Sequence, residues 1–454
     1  MQSAENEALE ESGAVLSVPE DAVTISDTCT PIETTENAVA LVGTFDLPFG
    51  SLLWTSSDSF ATCLVPTEGS ASPLAQVALL FFGSGQLATV LAEAVGENDG
   101  YDIYDARGSD QGLIWTEANI LDGIWRIYAA PLSEGVLGEP VLLDEGAAAQ
   151  WETPSIAAVG QWAFWQVLPT VDGDYSSSDS LLKRMRFGET PVAPANLDDE
   201  GEDGGAHDAD GEEPSAGPRT DSAGNEVLWA STGRFCTAPY PLADSLVITP
   251  RNDVTSINYQ LTLLDADSGE VRDSLVLPGS MRPLEAGWGD NGFMFSFDAT
   301  YDYGGGIANL GTYTPAVPHD TEAYEGLQWF RYARNPTAAP LWSNGFFVVK
   351  SNMQVVVIDI ANMAYVALPL ESGCDDWGDY LASTGNLGTF ATYTSIDDHA
   401  VDGTETRVTR VRVWQPVIPG GGQEVANILE AQEAAAQAEE ESTDDGEPEN
   451  SGEQ

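Results

Sequence analysis

Short apolar runs rich in Val, Leu, Ile and aromatic residues recur along this chain from about residue 38 to 416, separated by turns of Gly, Asp, Asn, Ser and Pro. Such runs, bounded by turn residues, predict strands rather than helices. Ala38-Val39-Ala40-Leu41-Val42-Gly43 opens the pattern. The first repeat, about 50–96, holds Ser51–Trp54, Ala61–Val65, Val77–Phe82 and Leu87–Leu91. Further repeats are read at about 100–146, 150–196, 225–279, 282–338, 339–370 and 374–416. In the fourth, Leu261–Leu264 and Val271 flank Asp265-Ala266-Asp267-Ser268-Gly269, a turn sequence that predicts a tight hairpin.

One short form recurs within these repeats. Trp54-Thr55-Ser56-Ser57-Asp58, Trp229-Ala230-Ser231-Thr232-Gly233, Trp288-Gly289-Asp290-Asn291-Gly292, Trp342-Ser343-Asn344-Gly345 and Trp377-Gly378-Asp379 each place a Trp before a small residue and a polar turn. Self-similarity at a period of tens of residues marks a repeat architecture. The expectation is an all-β chain folded as a β-propeller of seven blades, with six or eight as alternatives. The last repeat lacks an outer strand, whereas the strand at 38–45 has no repeat of its own. The N-terminal strand is therefore expected to complete the final blade and close the ring, which removes sheet edges.

The Trp-small-polar-Gly form resembles the repeat signature of TolB-like β-propellers. Trp125-Arg126-Ile127-Tyr128-Ala129-Ala130-Pro131-Leu132 resembles their third strand and Leu263–Gly269 their outer hairpin. The chain is also similar to exported propeller proteins of actinobacteria. The resemblance covers roughly 38–416 and implies the fold and an envelope-associated binding or scaffolding role. It departs from the family in lacking Pro in every Trp motif. Fold alone selects no activity.

Charge narrows the partners. The chain has 73 acidic and 16 basic residues, a net charge of −57. A nucleic acid or an anionic membrane surface would be repelled, since phosphate binding needs a basic footprint. The acid fits a solvated exterior or adaptation to salt or acid. It concentrates in a leader over 1–37, an insertion at about 197–218 and a tail over 419–454, all three expected to be mobile or disordered. The propeller itself is expected over 38–418. No apolar run has the length of a transmembrane helix. The polar start resembles one left after removal of an export signal or anchor. An extracellular or cell-surface location is the resulting expectation, with the chain as the outer, sensor part of an anchored protein in one version.

Chemistry leaves a weaker trace. His207, His319 and His399 lie far apart, and the common nucleophile and phosphate-loop motifs are absent. Asp172, Asp174 and Asp179, and Asp397, Asp398, Asp402 with Glu405, group carboxylates that could supply calcium with oxygen ligands or simply line solvated turns. Cys29 and Cys374 could bridge the ring's ends; Cys29 with Cys63, or buried thiols, are the alternatives. The turns after the Trp motifs mark the expected channel mouth, with Asp58, Asp290, Asn291, Asn344 and Asp379 as ligand-binding candidates. The repeated Trp side chains are expected to pack between blades, or to stack on sugars if several share an exposed face. The favoured reading is a non-catalytic propeller that binds a protein or glycan partner. A carboxylate-dependent lyase or hydrolase and a structural envelope protein are the alternatives.

Overall fold

The computed structural model describes residues 14–15, 23–24, 29–32, 38–55, 57–67, 76–173, 175–193, 219–252, 258–277, 282–289, 292–303, 306–317, 330–333, 339–351, 353–383, 385–399 and 405–417. The acidic insertion and the C-terminal tail lie outside these residues, as do Ser56, Asp174, Asp290, Asn291 and Asp402. The described strands form seven sheets, arranged as a β-propeller. Each sheet is built on a meander in which sequential strands pair antiparallel, and the sixth adds Asn386–Leu387 in parallel with Leu341–Ser343. The innermost strands, in chain order, are Leu52–Thr55, Asp102–Ser109, Ser155–Val159, Tyr240–Pro241, Pro283–Gly289, Leu341–Ser343 and Tyr380–Leu381.

The second strand is buried throughout in several of the sheets. Phe60–Val65 and Gly112–Asn119 are buried along their whole length, as is Trp162–Val167. A strand covered on both faces by neighbouring sheets has no solvent side, so its sequence shows no apolar–polar alternation, and the polar residues it carries are buried with it. Apolar clusters fill the spaces between neighbouring sheets. Ile114, Ile127, Trp165 and Met185 join the second sheet to the third. Phe164, Leu182, Leu246 and Leu264 join the third to the fourth. Burying one such side chain contributes roughly 1.5–3 kcal/mol, so these clusters dominate the cohesion of the ring. The Asp265–Gly269 turn is a hairpin as its sequence predicts. Asp265 Oδ1 accepts from the amides of Asp267 (3.0 Å) and Ser268 (2.7 Å), and Gly269 adopts a φ of 74°.

The ring closes through the N-terminal strand. Val39–Pro48 pairs antiparallel with Glu405–Pro416, from Val39 opposite Pro416 to Pro48 opposite Val408. Leu47, Leu53, Cys63, Ala391 and Val413 then seal the seventh sheet against the first. The leader also contributes strands. Ala14–Val15, Val23–Thr24 and Thr30–Pro31 pair in parallel with the outer strands of the fourth, fifth and sixth sheets.

Two expectations are corrected. Glu226–Ser231, which carries Trp229, is the fourth strand of the third sheet, not the opening strand of the fourth. The acidic insertion therefore lies between two strands of one sheet, and the fourth sheet begins at Tyr240. The reason is edge pairing: Ser180–Arg186 needs an outer neighbour, and Arg184 binds Glu226 through a two-pronged contact of 2.8 and 2.9 Å. The Cys29–Cys374 bridge does not form, because all four cysteines are thiols. Cys29 is buried in the apolar cluster that contains Phe295 and Phe347, whereas Cys374 bridges Ile396 of the seventh sheet.

Candidate functional site

The innermost strands surround a central cavity of about 320 Å³. Trp54, Arg107, Ile156, Ala158, Tyr240 and Glu285 line it, one or two from each of the first five sheets. Arg107 is presented by Asp102–Ser109, where Asp105 lies two residues earlier and so on the same face. The two form an ion pair, and Arg107 Nη1 also donates to its neighbour Ala106 O at 2.8 Å. The guanidinium lies 3.8 Å from the centroid of the Trp54 ring. Burial outweighs the ion pair for both partners, holding Asp105 above the usual carboxylate range and Arg107 below its ordinary value. Across the cavity Glu285 accepts from Ser296 Oγ at 2.7 Å, and the Tyr240 hydroxyl donates to Pro340 O at 3.2 Å. The cavity thus combines apolar walls with one guanidinium and one carboxylate, the lining expected of a binding site that orients its ligand.

Of the candidate mouth residues, the described ones, Asp58, Asn344 and Asp379, do not line the cavity. Asp58 and Asn344 meet at one loop. Asp58 accepts from the amides of Gly388 (3.3 Å) and Thr389 (2.8 Å) and from Thr389 Oγ1 (2.8 Å). Asn344 Nδ2 donates to Gly388 O at 2.9 Å. Both hold the ring together at the junction of the first, sixth and seventh sheets. Asp379 is fully buried between the sixth and seventh sheets, where Arg412 Nη2 donates to its Oδ2 at 2.6 Å. Asp290 and Asn291 lie outside the described residues.

Among the described residues no group of three or more His, Cys, Asp or Glu is placed to hold a metal ion. Asp172 occupies a turn at a φ of 61°, Asp179 follows in the same loop, and Arg407 reaches Asp397 at 3.3 Å. Asp174 and Asp402 lie outside the described residues, and for Asp398 only the backbone, paired with Thr406, is described. His207 and His319 are outside them too. Among the described residues no helix is long and apolar enough to cross a membrane.

The repeated Trp residues are not equivalent. Trp342 is buried, Trp54 and Trp288 are partly covered, Trp229 lies on an outer strand, and Trp377 is about half exposed. They form no shared platform. Arg107 and Glu285 were not singled out by motif reading. The available signal was scarcity: Arg107 is one of 16 basic residues and falls inside a β-prone segment, where an unpaired cation would be costly.

No protein-family model matches the chain, and no curated protein does. Solved structures similar to it include propeller domains. A post-proline cleaving enzyme from Rickettsia typhi aligns with a TM-score of 0.45 at 7% identity, over 80% of this chain and 52% of its own. A prolyl endopeptidase aligns at 0.43 and 10% identity over 84% of this chain. This chain spans about half of that enzyme's length, 48%. The WD40 domain of SCAP from fission yeast aligns at 0.36 and 9% identity, covering 83% of this chain and 98% of the domain. The propeller assignment rests on the strand pairing described above.

Proposed function

We propose that this chain is a non-catalytic binding propeller, exported or displayed at the cell surface, whose central cavity receives a segment of a protein partner. The observation that carries the reading is the cavity itself, with Arg107 stacked on Trp54 and Glu285 across from it. Arg107 already covers the face of Trp54, and Tyr240 is buried, so the cavity does not present the open aromatic platforms that sugar stacking uses. A side chain or chain end bearing a carboxylate suits Arg107, whose fork can accept a bidentate partner. The extracellular placement is supported by the resemblance of the repeats to exported propellers.

The test is a thermal melt of the full chain against peptides ending in a free carboxylate, their amidated forms and a panel of oligosaccharides. A ligand that binds only the folded state raises the midpoint. The expected result is a rise with the free carboxylates that Arg107→Met abolishes while its own unliganded melt stays cooperative. A rise with oligosaccharides alone, or none with any probe, would reject the reading.

A further inference from the structure

Beyond the cavity, one outer surface of the second and third sheets has an unusual composition. The turn Asn119-Ile120-Leu121-Asp122-Gly123 has the Asn, Asp and Gly of an ordinary tight turn, yet two large apolar residues occupy its tip. Leu121 is 98% exposed and Ile120 76%. Single exposed apolar residues are ordinary; a cluster of them is not. These two have neighbours. Ala148 donates its amide to Gly123 O at 2.7 Å, and Thr170 Oγ1 donates to Ala148 O at 2.7 Å. Along that bonded path sit the exposed Ala148 and Ala149, Val171 at 62% exposure, and Tyr175, which stacks on Trp151 at 5.5 Å. On the other side is Val95, itself half exposed.

The ledge is rigidly mounted. Glu117 is fully buried and accepts from the amides of Val95 (2.6 Å) and Gly96 (2.9 Å) and from Trp115 Nε1 (3.0 Å). Asn119 Nδ2 donates to Asp99 O (3.3 Å) and to Asp122 Oδ2 (2.9 Å), fixing the turn to the preceding loop. An apolar surface held this firmly loses little entropy when it is covered.

Its rim is acidic. Asp122 is in the turn itself, Asp99 is tied to it through Asn119, Glu145 pairs with Arg126, Asp172 follows Val171, and the exposed Glu93 and Glu97 flank Val95 in the chain. The nearby cation Arg126 is shared between Asp99 (3.7 Å) and Glu145 (3.5 Å). Glu97 is held above the usual carboxylate range by its hydrogen bond with, and the charge of, Glu93. A second copy of the chain would bring the same acids face to face, and an anionic membrane would be repelled. A cationic rim on the partner relieves both.

We propose that this ledge docks a partner protein whose apolar anchor is ringed by Lys or Arg. The surface shares no residue with the cavity, so the inference stands apart from the reading above.

The experiment titrates the full chain with a short peptide of Leu and Trp flanked by Lys, a Glu-flanked version and a version with Ser in place of the apolar core. The Ile120→Ser, Leu121→Ser double variant removes the anchor contacts at exposed turn positions, and Arg107→Met serves as the cavity control. The Lys-flanked peptide is expected to bind, more weakly at high salt. The double variant should weaken it about tenfold, as loss of an interface anchor does. Arg107→Met should leave it unchanged. The Ser-core and Glu-flanked peptides should bind poorly. Failure of the Lys-flanked peptide to bind, equal binding by the Glu-flanked or Ser-core peptide, or no effect of the double variant would overturn the proposal. So would concentration-dependent dimerisation that the double variant abolishes, since the ledge would then be a self-interface.

Discussion

Arg412 and Asp379 meet buried between the sixth and seventh sheets, with Nη2 2.6 Å from Oδ2, Arg412 only 3% exposed and Asp379 not exposed at all. Arg412 also donates to Pro369 O at 2.7 Å. Lys350 lies on the facing strand and donates to Trp377 O at 2.8 Å. A charge pair of this kind costs little while complete and much when halved. Arg412→Met or Asp379→Ala is therefore expected to destabilise the fold by about 3–5 kcal/mol, read from denaturant unfolding. An unchanged midpoint for either variant would remove the pair from the account of stability.

Burial pushes the Asp379 carboxyl up to about 6, against the opposing pull of Arg412. Between the unfolded carboxylate value near 3.8 and about 6, the folded state then holds more protons than the unfolded state. Stability contributed by this group therefore falls as pH rises through that window. Asp379→Asn should lose this dependence, checked by comparing unfolding free energies of the two proteins across the window.

Lys350 shows the opposite sign. Burial pushes its ammonium down to about 8, although Asp379 favours the charged form. Between about 8 and the ordinary 10.5 the unfolded chain binds the proton that the folded chain lacks. Stability from this group rises with pH over that range. Lys350→Met should flatten the rise, and a persisting slope would assign it to another group.

Gly378 precedes Asp379 at a φ of 66°, and a Cβ there would lie 2.2 Å from Met353 O. The same carbonyl accepts the Asp379 amide at 2.8 Å, so it cannot move aside freely. Gly378→Ala combines positive-φ strain with a backbone clash and should cost at least about 2 kcal/mol. Full stability in that variant would show that the turn relaxes.

Glu117 is the support of the 95–96 loop. Glu117→Ala leaves two amides and one indole N–H without their acceptor and should cost roughly 3 kcal/mol. Faster hydrogen exchange at Val95 and Gly96, out of proportion to the rest of the sheet, is the local signature to measure.

Asp58 fastens the first sheet to the 388–389 loop from an exposed position. Asp58→Ala is expected to cost about 1 kcal/mol and to leave ligand binding in the cavity intact. A loss of cavity binding without loss of stability would return Asp58 to the role expected from the sequence.

The apolar runs, the turn chemistry at Asp265–Gly269 and the missing outer strand of the last repeat are local in the chain, because a strand needs a continuous side-chain pattern and a hairpin needs particular residues at its turn. These determined the all-β propeller and its closure by Val39–Pro48. Which strand borders which could not be read where the spacing was broken. Trp229 matches the recurring form as well as Trp342 does, yet it belongs to an outer strand, since the edge of Ser180–Arg186 and the charge of Arg184 select Glu226–Ser231 across the acidic insertion. The tertiary structure alone decided the sites. Asp58, Asn344 and Asp379 carry polar turn residues that suit a ligand or a structural bond equally. Only the ring's packing shows that their partners are Gly388, Thr389 and Arg412, and only the convergence of five inner strands brings Trp54, Arg107 and Glu285, far apart in the chain, around one cavity.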